Sequence, residues 1–420
     1  FYSSAASDVY KRPCVSMPFR EDLVSRNLPE ACTVVIFGAT GDLTHRKLIP
    51  ALYNQAADGE LPAGVKIIGF ARRHWTDEFF RGGFEKLTRE VSRTGHDEEA
   101  WASLASNIEY HQSEFQDDDG YRRLAERLDA IDQERGGKGN RLFYVASAPE
   151  YFDDILLHLK KASLSDEREG CWSRVIVEKP FGTTLATAQH LNEVVNGTFE
   201  EKDTYRIDHY LGKETVQNLI ALRFANSLFS SQWSNKGIES VEITAAESVG
   251  IEDRWGYFDG VGQMKDMVQS HILQLLCLIA MEPPNRLNDQ GIRSEKVKVL
   301  ESLKPLGEAE IEKNFVTAQY ADGEILGTKV PGYINEKNAQ NASGTETFVS
   351  IKAEIQNWRW SGVPFYLRTG KRMASKTTQI VIQFKSDGHY IFDQKREKLK
   401  GNTLVISLHP TESISLEVYT

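Results

Sequence analysis

Apolar residues in the first half of the chain come in short runs separated by polar, helix-prone stretches. Val34-Val35-Ile36-Phe37 is the first run, and Val65 to Phe70, Leu142 to Ala146 and Arg174 to Val177 follow it. A continuous apolar strand is one covered on both faces, as in a parallel sheet. Behind the first run, Leu48 and Leu52, like Ile49 and Tyr53, lie four apart, the spacing of one helix face. Tyr121 to Arg135 is a second helix-prone stretch, and Gly136-Gly137-Lys138-Gly139 reads as a loop before the third strand. Strands alternating with helices imply βαβ units.

The second half changes period. Val241, Ile243 and Ala245 alternate within Glu239 to Ala245, and Val349, Ile351, Ala353 and Ile355 within Phe348 to Ile355. Ile380, Ile382 and Phe384 repeat the period of two, as do Leu404, Ile406 and Leu408, and then Ile414, Leu416 and Val418. Such alternation predicts antiparallel strands with one covered face. Two long helical stretches accompany them, about Leu211 to Ser227 and about Gln263 to Met281. The change falls near Tyr205 to Asp208. The pattern therefore predicts an arm over 1–32, an α/β Rossmann-type N-terminal domain over 33–207, and an α+β C-terminal domain with a large mainly antiparallel sheet over 208–420. Lys329 to Thr345, polar and rich in Gly and Asn, reads as a surface loop.

Composition narrows the partners. Of 420 residues, 60 are acidic and 50 are Lys or Arg, a net charge of -10. That balance argues against nucleic acid or an anionic membrane as the main partner, while leaving room for a local basic pocket. The longest nearly apolar run, Ile272 to Met281, is too short for a bilayer. Phe1 to Asp8 lacks a basic segment followed by an apolar one, so no secretory signal is expected there, and the arm reads as mobile. Cys14, Cys32, Cys171 and Cys277 show no CxxC spacing. Reduced thiols, no metal and a cytoplasmic location are the expectation. Two N-x-S/T matches, at Asn196 and Asn341, read as chance in that setting.

Candidate chemistry gathers at five places. Gly38-Ala39-Thr40-Gly41-Asp42-Leu43 lies between a strand and a helix, where glycines admit a pyrophosphate to backbone N–H groups. The match is imperfect, since the standard fingerprint puts glycine at Thr40, and an ordinary βα turn is the alternative. The second strand ends in Arg72-Arg73 where an NAD site carries an acid, which suits the 2′-phosphate of NADP. Lys179, in Glu178-Lys179-Pro180-Phe181-Gly182, closes another strand. In Tyr205 to Glu214, a helix begun at Asp208 would put His209 and Lys213 on one face beside Tyr210, able to grip a phosphate dianion. A solvated helix start capped by Asp208 is the plain alternative. Asp266 and His271 share a helix five residues apart, about 140° of rotation, so they need not face one another. By itself His271, followed by Ile272 and Leu273, reads more readily as a core histidine.

Together these segments resemble the glucose-6-phosphate dehydrogenase family. Arg206-Ile207-Asp208-His209-Tyr210-Leu211-Gly212-Lys213-Glu214 carries most of the likeness, with Leu222-Arg223-Phe224-Ala225-Asn226, Tyr257-Phe258-Asp259 and Gly362-Val363-Pro364-Phe365 in family order. The resemblance runs from about Thr33 onward, and the family's members continue beyond Tyr419-Thr420. It implies oxidation of glucose 6-phosphate by NADP+ in a homodimer or homotetramer. His271 would be the base and Asp208 its orienting partner. His209, Tyr210 and Lys213 would bind the phosphate, and Glu247 and Asp266 the sugar hydroxyls. Lys371 and Lys376 would lie near the substrate, Lys376 where other members carry arginine. Lys179 would touch substrate and cofactor, and Gly38 to Leu43 with Arg72 would hold NADP. Phe152 stands where some relatives have a tyrosine beside the cofactor. Arg368 is compatible with the second, structural NADP of some members. Rival readings are a sugar oxidoreductase of the glucose–fructose oxidoreductase type, against which the Arg206–Glu214 run speaks, and a non-enzymatic NADP sensor.

Overall fold

The computed structural model describes residues 28–418 except 63, 92–94, 137–138, 326, 338, 340–342 and 387–400. Most of the predicted arm, Cys14, Gly137-Lys138, Asn341-Ala342 and Tyr419-Thr420 lie outside the described residues. The chain divides into two compact units between Ile207 and Asp208.

The first unit is built on six strands: β1 Thr33–Phe37, β2 Lys66–Ala71, β3 Ile108–Gln112, β4 Arg141–Val145, β5 Ser173–Glu178 and β6 Thr204–Ile207. Their order is β3-β2-β1-β4-β5-β6, and every neighbouring pair is parallel. The unbroken apolar run of β1 has a direct cause. Val35 and Phe37 pack on one face with Leu124, Leu128 and Ile155, whereas Val34 and Ile36 pack on the other with Ile49, Tyr53 and Phe84. The strand order reverses between β1 and β4, and the crevice at such a reversal is where open α/β sheets bind ligands. β3 and β6, the two outer strands, escape the sequence pattern because Glu109, Gln112, Tyr205 and Arg206 make them look polar. The helix over Asp118–Glu134 starts where Asp117 accepts the N–H of Asp119.

In the second unit the strands are β7 Ile238–Ala246, β8 Phe315–Ala318, β9 Gly323–Ile325, β10 Thr328–Val330, β11 Phe348–Glu354, β12 Pro364–Gly370, β13 Thr377–Phe384, β14 Thr403–His409 and β15 Ser413–Glu417. Seven of them form one sheet, β15-β14-β13-β7-β12-β11-β8, in which only β7 and β12 run parallel. The expected large, mainly antiparallel sheet is thus present. Ile243, Phe365, Leu367, Ile380 and Ile406 pack in one core with Leu219, Leu275 and Leu276 of the helices Glu214–Phe224 and Leu273–Ala280. Arg223 donates to the carbonyls of Leu278 (2.6 Å) and Met281 (2.7 Å), which closes the C-terminal end of the second of these helices. β15 is exposed along its length, and its Ile414 and Leu416 remain in contact with solvent.

Three expectations change. The helix read from Leu211 begins only at Glu214, because Asp208 to Lys213 form consecutive turns. The stretch from Gln263 to Met281 is a π-helical segment, Met264–Ile272, continued by the α-helix Leu273–Ala280. The span from Lys329 to Thr345 is not simply a surface loop. Tyr333 within it is fully buried, stacks on Trp255 (ring centroids 4.5 Å apart), and donates to Asp259 at 2.8 Å.

Ile243 lies at the centre of this sheet with no exposed surface. Ile243→Ala should destabilise the protein by about 2–5 kcal/mol through lost burial and a residual cavity. Urea unfolding should show a lower midpoint at unchanged slope. A parental midpoint would mean that the sheet–helix interface is not what holds the second unit.

Candidate active site

In the first unit, β1 delivers the chain into Gly38, whose φ is +86°. A Cβ there would lie 2.7 Å from the carbonyl oxygen of Ala146 after β4, so only glycine fits. Gly38 N–H donates to the Phe70 carbonyl (3.0 Å) and Gly41 N–H to that of Gly38 (2.9 Å), which folds Gly38 to Leu43 into a tight cradle ahead of a helix. That is the shape a pyrophosphate needs, and the departure at Thr40 does not disturb it. Asp42 is engaged by Arg46 in an exposed ion pair (2.7 Å) of the kind that costs little to open.

After β2, the backbone of the arginine pair is pinned. Tyr110 donates its hydroxyl to Arg73 O (2.7 Å), and Gln112 donates its amide to Arg72 O (3.2 Å). Both arginine side chains stand exposed, with Arg73 lying over the Trp75 ring (5.3 Å). Burial, and then the Arg73 cation, hold the neighbouring His45 imidazole below its ordinary pKa. This end of the unit is therefore a positive edge beside the cradle, which fits the 2′-phosphate of NADP. Lys179 follows β5 and is half-buried, and the carboxylate of Glu178 before it accepts the Tyr144 hydroxyl (2.5 Å). Phe152 is buried in the core at the start of its helix.

The second unit gathers the remaining candidates. Asp208 does not start a helix: its Oδ1 accepts the Tyr210 N–H (2.9 Å) within a turn. The same oxygen lies 2.6 Å from Nδ1 of His271. Burial alone would raise the pKa of Asp208, but the His271 hydrogen bond and charge, with the Tyr210 N–H, outweigh it and hold the carboxyl below its ordinary range. An ionised Asp208 can only accept, so Nδ1 of His271 carries the proton and Nε2 is the basic atom. His271 is 1% exposed. Tyr210 stacks on it (4.2 Å, 19°), and His209 meets it edge-on (4.4 Å, 64°).

The π-helical turn has a consequence for Asp266. Its i→i+5 hydrogen bonding widens the turn, so residues five apart come close to one face. Asp266 and His271 are both buried there, and the Asp266 carboxylate accepts the Tyr257 hydroxyl (3.4 Å). Burial raises the pKa of the Tyr210 hydroxyl, Thr378 works against it, and the charges of Glu247, Asp208 and Asp266 add to the rise. Glu247 pairs with Lys371 at 2.6 Å, and Lys371 lies over the Phe258 ring.

Lys213 is reached by turns rather than by a helix face. It donates to the Leu408 carbonyl at the end of β14 (2.8 Å) and lies 5.6 Å from the Tyr210 ring centre. Thr378 is hydrogen-bonded to Tyr210 and is the register partner of His409. Desolvation, then Lys376 and Lys213, lower the His409 pKa, which places both cations near that ring. The Lys213 and Lys376 cations thus gather near His409, beside its strand partner Thr378 and the Tyr210 ring over which Lys213 lies. Thr378 and His409 were not foreseen, because only the β13–β14 pairing brings them to this place.

Asp208 binds its proton less tightly folded than unfolded, where its pKa is about 3.9. Its stabilising contribution is therefore complete above the unfolded value and is lost as pH falls through the folded one. Asp208→Asn removes that term. In urea titrations the variant's stability should fall less steeply than the parent's in this acid range. Parallel profiles would show that the His271 pairing does not hold this carboxyl down.

Comparison with known proteins agrees with this geometry. The family model for the glucose-6-phosphate dehydrogenase NAD-binding domain matches residues 35–218, and that for the C-terminal domain matches 220–420. A glucose-6-phosphate 1-dehydrogenase of Dickeya dadantii is 44% identical over 393 residues, 93% of this chain and 77% of that protein. That of Chlamydia muridarum is 42% identical over 396 residues, 92% and 77% of the two chains. Among solved structures, a glucose-6-phosphate dehydrogenase in complex with glucose 6-phosphate is 35% identical, with a TM-score of 0.85 over 93% of this chain and 78% of its own. The Mycobacterium avium enzyme gives 32% and 0.80, over 93% and 80%. With both domain models matched in order across a dinucleotide cradle and a buried Asp–His pair, the chain belongs to the glucose-6-phosphate dehydrogenase family.

Proposed function

We infer that the chain oxidises β-D-glucose 6-phosphate at C1 to 6-phospho-D-glucono-1,5-lactone, with NADP+ reduced to NADPH, the first oxidative step of the pentose phosphate pathway. The observation that carries this reading is the Asp208–His271 pair, buried against the Tyr210 ring over which the Lys213 ammonium lies. With Nδ1 committed to Asp208, Nε2 of His271 takes the proton of the C1 hydroxyl. Asp208 keeps the ring oriented and balances the imidazolium that forms. NADP+, when bound, accepts the hydride that leaves C1. Gly38, Ala39, Thr40, Gly41, Asp42 and Leu43 form the turn that would hold its pyrophosphate ahead of the helix, and Arg72 would hold its 2′-phosphate.

His209, Tyr210, Lys213 and Lys376 hold the phosphate dianion of the substrate, a role to which His409 and Thr378 are now added. Glu247 and Asp266 accept from sugar hydroxyls, and Lys371 fixes Glu247. Lys179 is assigned to substrate and cofactor on the strength of the family resemblance. The Lys213 and Lys376 cations disfavour the rival that acts on unphosphorylated sugars. Exposed Ile414 and Leu416 on β15 support assembly as a homodimer or homotetramer, which sedimentation would test. Free Cys32, Cys171 and Cys277 support a cytoplasmic location.

Mixing the protein with NADP+ and glucose 6-phosphate should raise NADPH absorbance, and unphosphorylated glucose should be turned over far more slowly. Comparable rates on the two sugars would favour the rival, and NADP binding without reduction would favour the sensor. Arg72→Ala should weaken NADP binding by about 1.5–3 kcal/mol, the range for a charge-assisted hydrogen bond, and barely change NAD binding. Equal losses for both cofactors would show that Arg72 does not read the 2′-phosphate. His271→Asn should lower kcat by about 10²-fold or more with substrate binding little changed. A substrate deuterated at C1 should show a larger isotope effect in that variant than in the parent. A near-parental kcat would move the base elsewhere, with His209 the next candidate.

A further inference from the structure

Arg372 adopts a left-handed backbone conformation, with φ of +54°, directly after Lys371. A long side chain avoids this region unless its surroundings impose it. Here they do so on both sides of the residue. Its N–H donates to Val249 O (3.1 Å), the next N–H, of Met373, donates to Glu247 O (2.9 Å), and Glu247 N–H donates to Gly370 O (2.9 Å). The end of β12 is thereby laced to the segment that leaves β7. The N–H of Lys371 points the other way, to Thr347 O (2.9 Å). The reversal at Arg372 is what lets Lys371 turn its ammonium to Glu247 while the chain remains tied to Val249.

The Arg372 side chain secures this arrangement. Its Nη2 donates to Glu336 Oε1 at 3.0 Å, and both side chains are largely buried. The same carboxylate oxygen accepts the Tyr320 hydroxyl (2.9 Å), which in turn accepts the Ile251 N–H (3.3 Å). Gly250 permits the close approach, since a Cβ there would lie 2.5 Å from Glu336 Oε1 and 2.7 Å from Arg372 Nε. A single ion pair therefore ties together the end of β12, the segment Val249–Ile251 after β7 and the stretch that carries Tyr333.

We propose that Arg372 and Glu336 are positioning residues for the sugar subsite: their ion pair holds Arg372 left-handed and so sets the Lys371–Glu247 pair in register for the substrate. The proposal rests on the reading that Glu247 and Lys371 belong to that subsite. It places sugar recognition partly under the control of residues that need not touch the sugar.

The test is steady-state kinetics on Arg372→Met, Glu336→Gln and the double variant, with Lys371→Met measured alongside. Arg372→Met keeps the stem and removes the ion pair. The expected result is a rise in KM for glucose 6-phosphate on the order of 10-fold, the scale of a small misplacement. kcat should stay within about twofold, and KM for NADP should not change. The double variant should be little worse than either single one, because both remove the same interaction. Arg372→Lys should recover part of the loss. A purely structural role would lower the active fraction, and with it apparent kcat, at parental KM; that result would overturn the proposal. If Lys371→Met itself left KM for glucose 6-phosphate unchanged, the subsite reading would fail first. A raised KM in Lys371→Met with a parental KM in Arg372→Met would reject the positioning role alone.

Discussion

A carboxylate kept ionised against an almost inaccessible imidazole is the constraint on which the chemistry of the second unit depends. Burying the charge of Asp208 is unfavourable unless it is paired. Two donors converge on one oxygen, the His271 ring and the Tyr210 backbone, so the turn that follows β6 is itself part of the electrostatic solution. Tyr210 is used twice, its N–H on Asp208 and its ring against His271. That double use explains why an aromatic residue, and not merely a hydroxyl, occupies the position.

The fold was legible where the pattern of burial was simple. β1 reads correctly because both of its faces are covered, and β7, β11, β13 and β14 read correctly because one is. β3, β6 and β12 do not, since a strand carrying Glu109, Arg206 or Arg368 among its apolar residues matches neither template. The site divides in the same way. Gly38 to Leu43 and Arg72 follow from local order, because a strand, a turn and a helix start are neighbours in sequence. The Asp208–His271 pair does not, since 63 positions separate its members and only tertiary packing joins them. There the motif resemblance supplied what periodicity could not. The 140° separation inferred for Asp266 and His271 assumed an α-helix, whereas a π-helical segment stands there, and side-chain spacing gives no sign of that change.

The two units solve ligand placement with different backbone devices. The first uses the end of a parallel sheet, where carbonyl-side loops and helix N–H groups collect at one edge and a small backbone suffices as the binding surface. The second uses side chains projected from turns, a widened helix and strand ends, each braced by another charged or aromatic group. Its polar residues are accordingly less tolerant of exchange. Lys371, Glu247, Asp266 and Lys213 are each engaged by a neighbour, so replacing one changes the setting of another.

The central place of β7 in its sheet bears on the order in which the chain can acquire its structure. β7 is flanked by β12 and β13, both made long after it, and its parallel pairing with β12 cannot be closed by a short hairpin. During synthesis the first unit has all six of its strands available before β7 appears, and it can condense from the N-terminal side. The segments bearing Asp208 and His271 then wait with apolar surface uncovered until Pro364 to Phe384 emerge. Such delayed, non-local closure is slow and exposes sticky intermediates. Chaperone dependence and loss of yield on truncation should therefore concentrate in the second unit, independently of any effect on catalysis.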